Sequence, residues 1–127
     1  MSNLTNYAEK AALDFLFGGD VFAQLHVGDP GEDGTANPVT VGMDADIVRK
    51  AVTMGATTLG TGKSVNTTSV SWTVDAASAG YTVTHISLWD ALAAGNSLFK
   101  GEFLSPEELV ANDILTLAAG IIVAELD

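Results

Sequence analysis

The sequence predicts a mainly β fold, an antiparallel β-sandwich of jelly-roll-like kind with one N-terminal α-helix, occupying residues 1–127 as one domain. Three observations carry this. Short segments of alternating apolar and polar residues recur at about 8–12-residue spacing, which is the rhythm of sandwiches and barrels. Val, Ile and Thr are enriched in them, while Gly, Asn and Asp punctuate them. Only one segment, near the N-terminus, has the three-four spacing of an amphipathic helix.

That segment is residues 3–17, where Leu4, Tyr7, Ala8, Ala11 and Phe15 fall on one stripe flanked by Ala12 and Leu16. Asn6 with Glu9 makes a candidate capping box, Asn3 and Thr5 are alternative starts, and Gly18-Gly19 supplies the stop. The stripe either covers one opening of its own sheet or packs on a neighbouring subunit. In residues 21–27, Val21, Ala23, Leu25 and Val27 alternate with Phe22, Gln24 and His26, as a strand requires. Residues 28–46 begin Gly-Asp-Pro-Gly-Glu-Asp-Gly and contain Asn37-Pro38, and read as a long surface loop.

Further strands are expected at 47–53, 65–74, 82–90, 98–103, 114–118 and 121–126. In the second of these Val70, Trp72 and Val74 are in step; in the third, alternation sets Trp89 on the same face as Val83 and His85. Ser105-Pro-Glu-Glu-Leu109 reads as one helical turn capped by Ser105, and Ala111-Asn-Asp113 as a turn. There is no internal repeat.

Composition removes several function classes. Sixteen acidic side chains against five basic ones give a formal charge of −11, a field that repels phosphate backbones and anionic lipid, so neither nucleic acid nor membrane is an expected partner. Apolar residues are 47% of the chain and charged ones 17%, too apolar for disorder. Apolar runs stop at four residues, as in Ile121–Ala124, far short of the roughly 18 of a membrane span. Without cysteine there are no disulfides and no thiolate chemistry. The first ten residues lack a basic segment followed by an apolar one, so no secretory signal is expected and the fold should start close to residue 1.

Several motifs invite a chemical reading. "LGTGKS" (59–64) ends like a phosphate-binding loop, but the required first glycine would be residue 57, which is Thr57, and "VNTTSVSW" after it is a poor helix. A hairpin turn, with Gly60 and Gly62 at positive φ and Lys63 exposed, accounts for it better. Asp29, Glu32, Asp33, Asp44 and Asp46 could gather around Ca²⁺, though their spacing is not that of a calcium loop. His26 and His85 lie on strands and could act with Asp90 or Asp29 in acid-base chemistry; a partly buried ring bonded to backbone is the plainer reading. No Gly-x-Ser-x-Gly elbow occurs. Phe22, Trp72 and Trp89 either mark a glycan or partner surface or fill the core. No catalytic, cofactor-binding or metal-ligating residue is assigned, no cofactor is expected, and the chain is not read as an enzyme.

Taken together, "NYAEKAALDFLFGG" (6–19), "FAQLHVGDPGEDGTAN" (22–37), a strand-borne Arg49, "VNTTSVSW" (65–72), "VTHISLWDALAAGNSLFKGEF" (83–103) and "LVANDILTLAAGIIVAEL" (109–126) resemble small virion proteins of tailed bacteriophages, commonly labelled tail fibre, minor tail or head decoration proteins. The resemblance covers nearly the whole chain. It implies a structural protein of the virion, assembled in the host cytoplasm. The leading expectation is a capsid decoration or cement protein, a homo-oligomer that binds the major capsid protein and stabilises the shell. The alternative is a minor tail or tail-fibre protein that contacts the host surface or other virion and tail proteins. A small enzyme built on His26 or His85 is the third. Strand edges, such as 121–126, offer main-chain groups to a neighbour.

Overall fold

The computed structural model describes residues 3–126. Among them the order is α1 (Asn6–Phe17), β1 (Val21–His26), β2 (Lys50–Val52), β3 (Lys63–Val65), β4 (Val70–Thr73), β5 (Tyr81–Trp89), β6 (Ser97–Leu109), β7 (Ile114–Leu117) and β8 (Val123–Glu125). The protein is mainly β, all strand pairs are antiparallel, and the fold is sandwich-like with one N-terminal helix.

The helix starts just after Thr5, whose backbone is extended. Its side chain accepts the Ala8 amide at 3.3 Å, satisfying a donor that the first turn leaves over. Thr5, rather than Asn3 or an Asn6–Glu9 box, is therefore the cap. Leu13 and Phe17, one turn apart, are the buried side chains of α1, and the Asp14 carboxylate accepts the Thr57 amide at 2.7 Å, tying the helix to the segment before β3. The apolar stripe read from the sequence is only partly used: Tyr7 is 77% exposed and Phe15 86%.

One layer is a four-stranded sheet in the order β2-β1-β5-β6. Val21, Ala23 and Leu25 of β1 face the core, and Ala23 and Leu25 stand opposite Leu88 and Ile86 of β5. The other layer is two ribbons, β3-β8 and β4-β7. The buried side chains of both layers, with Leu13 and Phe17 from the helix, form one apolar cluster around Trp72, Leu25 and Leu88.

Three departures from the sequence reading have local causes. The strand expected over 65–74 is two strands in different ribbons, separated by the buried Asn66. Its carboxamide oxygen accepts the Gly120 and Ile122 amides at 3.0 and 2.9 Å, and its NH₂ donates to the Thr68 and Ala118 carbonyls at 2.8 and 3.0 Å. Periodicity cannot see such a bracket. Between Val83 and His85 the β5–β6 register shifts, residues 103–106 of β6 standing against Thr84 alone; beyond it the alternation of β5 changes, so Val83, Ile86 and Leu88 share the core while Trp89 lies on the opposite face. Residues 105–109, read as a helical turn, instead continue β6, because Glu107, Glu108 and Leu109 pair with Val83, Thr82 and Tyr81. A ladder of backbone bonds outweighs one local cap.

The loop over 28–49 is held to the sheet rather than trailing from it. The Val27 and Val39 amides donate to the Asn37 and Leu25 carbonyls at 2.9 and 3.1 Å, and Pro38 bridges His26. Arg49 precedes β2 instead of lying on a strand.

Candidate interaction surface

The outer strand of the larger sheet, β6, has a single buried residue, Leu109, among its thirteen. It pairs with β5 on one side, and among the described residues no strand pairs with its other side. Pro106 sits within it, and proline, lacking an amide hydrogen, is tolerated in a sheet chiefly at an edge. Leu104 is fully exposed, at 108% of the reference value. On the core side, Phe99, Gly101 and Phe103 of β6 face Leu115 and Ile122 across an open groove of about 620 Å³, walled further by Ile121 of the turn before β8. Lined by apolar side chains and bordered by an unpaired edge, this groove has the makings of a contact surface. The sequence reading missed its extent because it ended the strand at residue 103; Pro106 after the alternating Phe99, Gly101 and Phe103 was the available signal of an edge strand.

The residues singled out from the sequence go elsewhere. In "LGTGKS", Lys63 opens β3, Gly60 and Gly62 have φ of 92° and 62°, and Met54 bridges Asn66 below them, so the segment is the tip of an irregular hairpin. A Cβ on Gly62 would come within 2.7 Å of the Leu126 carbonyl oxygen, which leaves no cradle for a phosphate.

His26 is fully buried. One ring nitrogen, Nδ1, lies 2.9 Å from the Ala36 carbonyl oxygen and Nε2 lies 2.7 Å from Ser87 Oγ, which also accepts the Trp89 indole N–H at 2.7 Å. With Trp89 donating to its oxygen, the hydroxyl keeps its own hydrogen to give to Nε2, and Nδ1–H donates to the carbonyl: a neutral ring, fully satisfied. Burial pulls the His26 pKa below its ordinary value, which agrees with that state. A Ser-His contact at this depth, with a carbonyl where a carboxylate would orient the base, is a core network and no nucleophile. His85 stands directly opposite His26 in the β1–β5 register, a proximity spacing alone did not reveal, and its Nδ1 contacts Thr84 Oγ1 at 2.8 Å.

Each carboxylate of the loop serves its own neighbourhood. Asp29 accepts the Gly31 amide and meets Lys100 at 3.1 Å, and these hold its pKa below the usual range; Asp33 is lowered by Thr35 in the same way. Buried Asp44 accepts the Asp46 and Asp75 amides on one oxygen and the Tyr81 hydroxyl, at 2.8 Å, on the other. Burial first, and then this contact, push the Tyr81 pKa far up. Among the described residues no three acidic or histidine side chains assemble into a metal site.

Both tryptophans are buried, Trp72 in the core and Trp89 on the other face of its sheet. Trp72 is 2% exposed and donates to the Val48 carbonyl at 3.0 Å; Trp89 is 4% exposed beneath the Arg49 guanidinium. Phe22 is half-buried. No helix of the described residues is long and apolar enough to cross a membrane.

A search of the curated proteins finds no match to this chain. Comparison with protein families matches residues 3–125 to the family described as Podophage GP4 fiber I protein gp80. The matched span takes in α1 and every strand described above, including the edge strand and its groove. The chain belongs to this family and is thereby a tailed-phage virion protein.

Proposed function

We propose that the chain is a structural subunit of a podophage fibre or its tail attachment, which works by presenting contact surface and carries out no chemistry of its own. The observation that carries this is the match of residues 3–125 to a family whose description names a fibre protein, joined to an apolar groove beside an unpaired edge strand. Edge groups and apolar grooves are what strand addition uses, with backbone bonds giving affinity and side-chain pockets giving register. Its partners are other virion proteins, other copies of itself included. Repetition within a particle lets individually modest contacts hold through avidity.

The second reading, a decoration protein that cements the major capsid protein, is favoured by a sequence without repeats or heptads and by the exposed Tyr7 and Phe15 of α1, apolar side chains left for a neighbour. Immunogold labelling of intact particles separates the two. Label confined to the tail and its appendages is expected. Label spread over the head would overturn the fibre reading in favour of decoration.

A further inference from the structure

Along the free edge, β6 opens with Ser97-Leu98-Phe99-Lys100-Gly101-Glu102-Phe103-Leu104-Ser105. Read from either end these residues are the same, save that the lysine before the central glycine is answered by a glutamate after it. A strand that pairs antiparallel with its own copy about a two-fold axis sets residues equally distant from the axis opposite each other. We propose that two copies of the chain join through β6, antiparallel, about a two-fold axis at Gly101, fusing their four-stranded sheets into one continuous sheet.

In this register Lys100 faces the partner's Glu102 and Glu102 faces the partner's Lys100. Phe99 faces the partner's Phe103, and the sequence symmetry continues through Leu98 and Leu104 to Ser97 and Ser105, beyond the regular ladder. Opposite charges and aromatic pairs are the favourable cross-strand neighbours. Other registers lose this: an axis at Lys100 or at Glu102 sets a charge against its own copy, and an axis between residues sets Lys100 against glycine and Phe99 against glutamate.

The fold brackets the same stretch. Ser97 is the first residue of β6, and Pro106, which cannot donate to a ladder, follows Ser105. Within this stretch Phe99 to Glu102 keep unbroken register with β5, while the register shifts at Leu98 and over residues 103–106, so Lys100 and Glu102 on either side of the axis stand on the regular part of the edge. Gly101 at the axis leaves room for rings to close over it, and a Cβ there would come within 3.2 Å of Phe99 Cε1. Phe99 and Phe103 line the apolar groove, so pairing sets the two grooves side by side with four phenyl rings between them. Charge selects this edge too. Copies carrying −11 each repel, and the seam brings in one of the chain's five basic residues from either side. Lys100 already meets Asp29 at 3.1 Å, but its ammonium has three donors and both groups are exposed. Location in the particle plays no part in this argument, so the pairing stands or falls separately from the fibre reading.

Sedimentation equilibrium of the purified chain tests it. The wild type is expected to dimerise. Lys100→Glu and Glu102→Lys each place like charges opposite one another at both ends of the axis, and each should weaken the dimer about ten-fold or more. An equimolar mixture of the two variants should form a heterodimer, and the double variant K100E/E102K should regain the homodimer. General charge repulsion would instead make Glu102→Lys, which reduces the acidity, associate more tightly. Circular dichroism reports whether the variants fold. A wild type that stays monomeric, charge variants that associate as the wild type does, or a mixture that fails to pair would each overturn the proposal.

Discussion

The guanidinium carbon of Arg49 lies 3.8 Å from the centre of the Trp89 ring, and the same group reaches Gln24 Oε1 at 3.2 Å and the Ala91 and Ala94 carbonyls at 2.9 and 2.7 Å. One planar cation thus joins the segment before β2 to β1, to the end of β5 and to the turn leading into β6. That turn carries strain, since Ala94 holds a positive φ of 55°. Lysine cannot copy the fork. Arg49→Lys is expected to lower unfolding free energy by about 1–3 kcal/mol in urea denaturation, through loss of the stack and one or more charge-assisted bonds.

Asn66 uses all of its hydrogen-bonding capacity at 1% exposure, holding the break between β3 and β4 against the turn before β8. Asn66→Asp keeps the shape but removes the NH₂ donors and buries a charge. A loss of about 2–4 kcal/mol in the same measurement is expected. Ser71→Ala, which breaks an exposed hydroxyl pair with Thr116, should change stability by about 0.5 kcal/mol or less.

His26 makes stability depend on pH. Its native pKa lies below the ordinary 6.5, chiefly because burial disfavours the charged ring, so the unfolded chain binds the proton more readily than the native one. The contribution is complete above about pH 6.5 and is lost as pH falls toward the native value. Asp29, Asp33 and Asp90 have native values below 3.8, from the backbone of Gly31, the Thr35 side chain and the backbone of Asn96 respectively, so their contributions hold above 3.8 and fade below it. Urea midpoints should therefore fall between about pH 7 and 5.5, ahead of the carboxylate range, and His26→Gln should flatten that first decline.

Tyr81→Phe removes the hydroxyl that donates to buried Asp44, leaving that carboxylate oxygen without its 2.8 Å partner. The two amides on the other oxygen remain. A loss of about 1.5–3 kcal/mol is expected, read from the denaturation midpoint at constant slope.

Much of the architecture was legible along the chain because it rests on local alternation and local stops. Val21 to His26, Ile114 to Leu117 and the Asn112 turn, with its φ of 71°, fell where the pattern and turn chemistry put them. The candidate surface was less legible. Nothing in the spacing says that β6 is the last strand of its sheet, and the local Ser-Pro-Glu-Glu signal argued for a helical turn that the pairing of Glu107 with Val83 overrode.

From the order of residues alone came the mainly β layering, the N-terminal helix and the reading of "LGTGKS" as a turn, since each depends on neighbours within a few positions, and the resemblance to phage virion proteins, which depends on the order of segments along the chain. Only the tertiary structure decided that His26 faces His85, that Asn66 splits a strand, that Trp89 turns away from the core beyond a register shift and that β6 keeps a free edge. Those outcomes depend on which distant segments share hydrogen bonds, and two segments equally good at being strands give no local sign of which will stand beside the other.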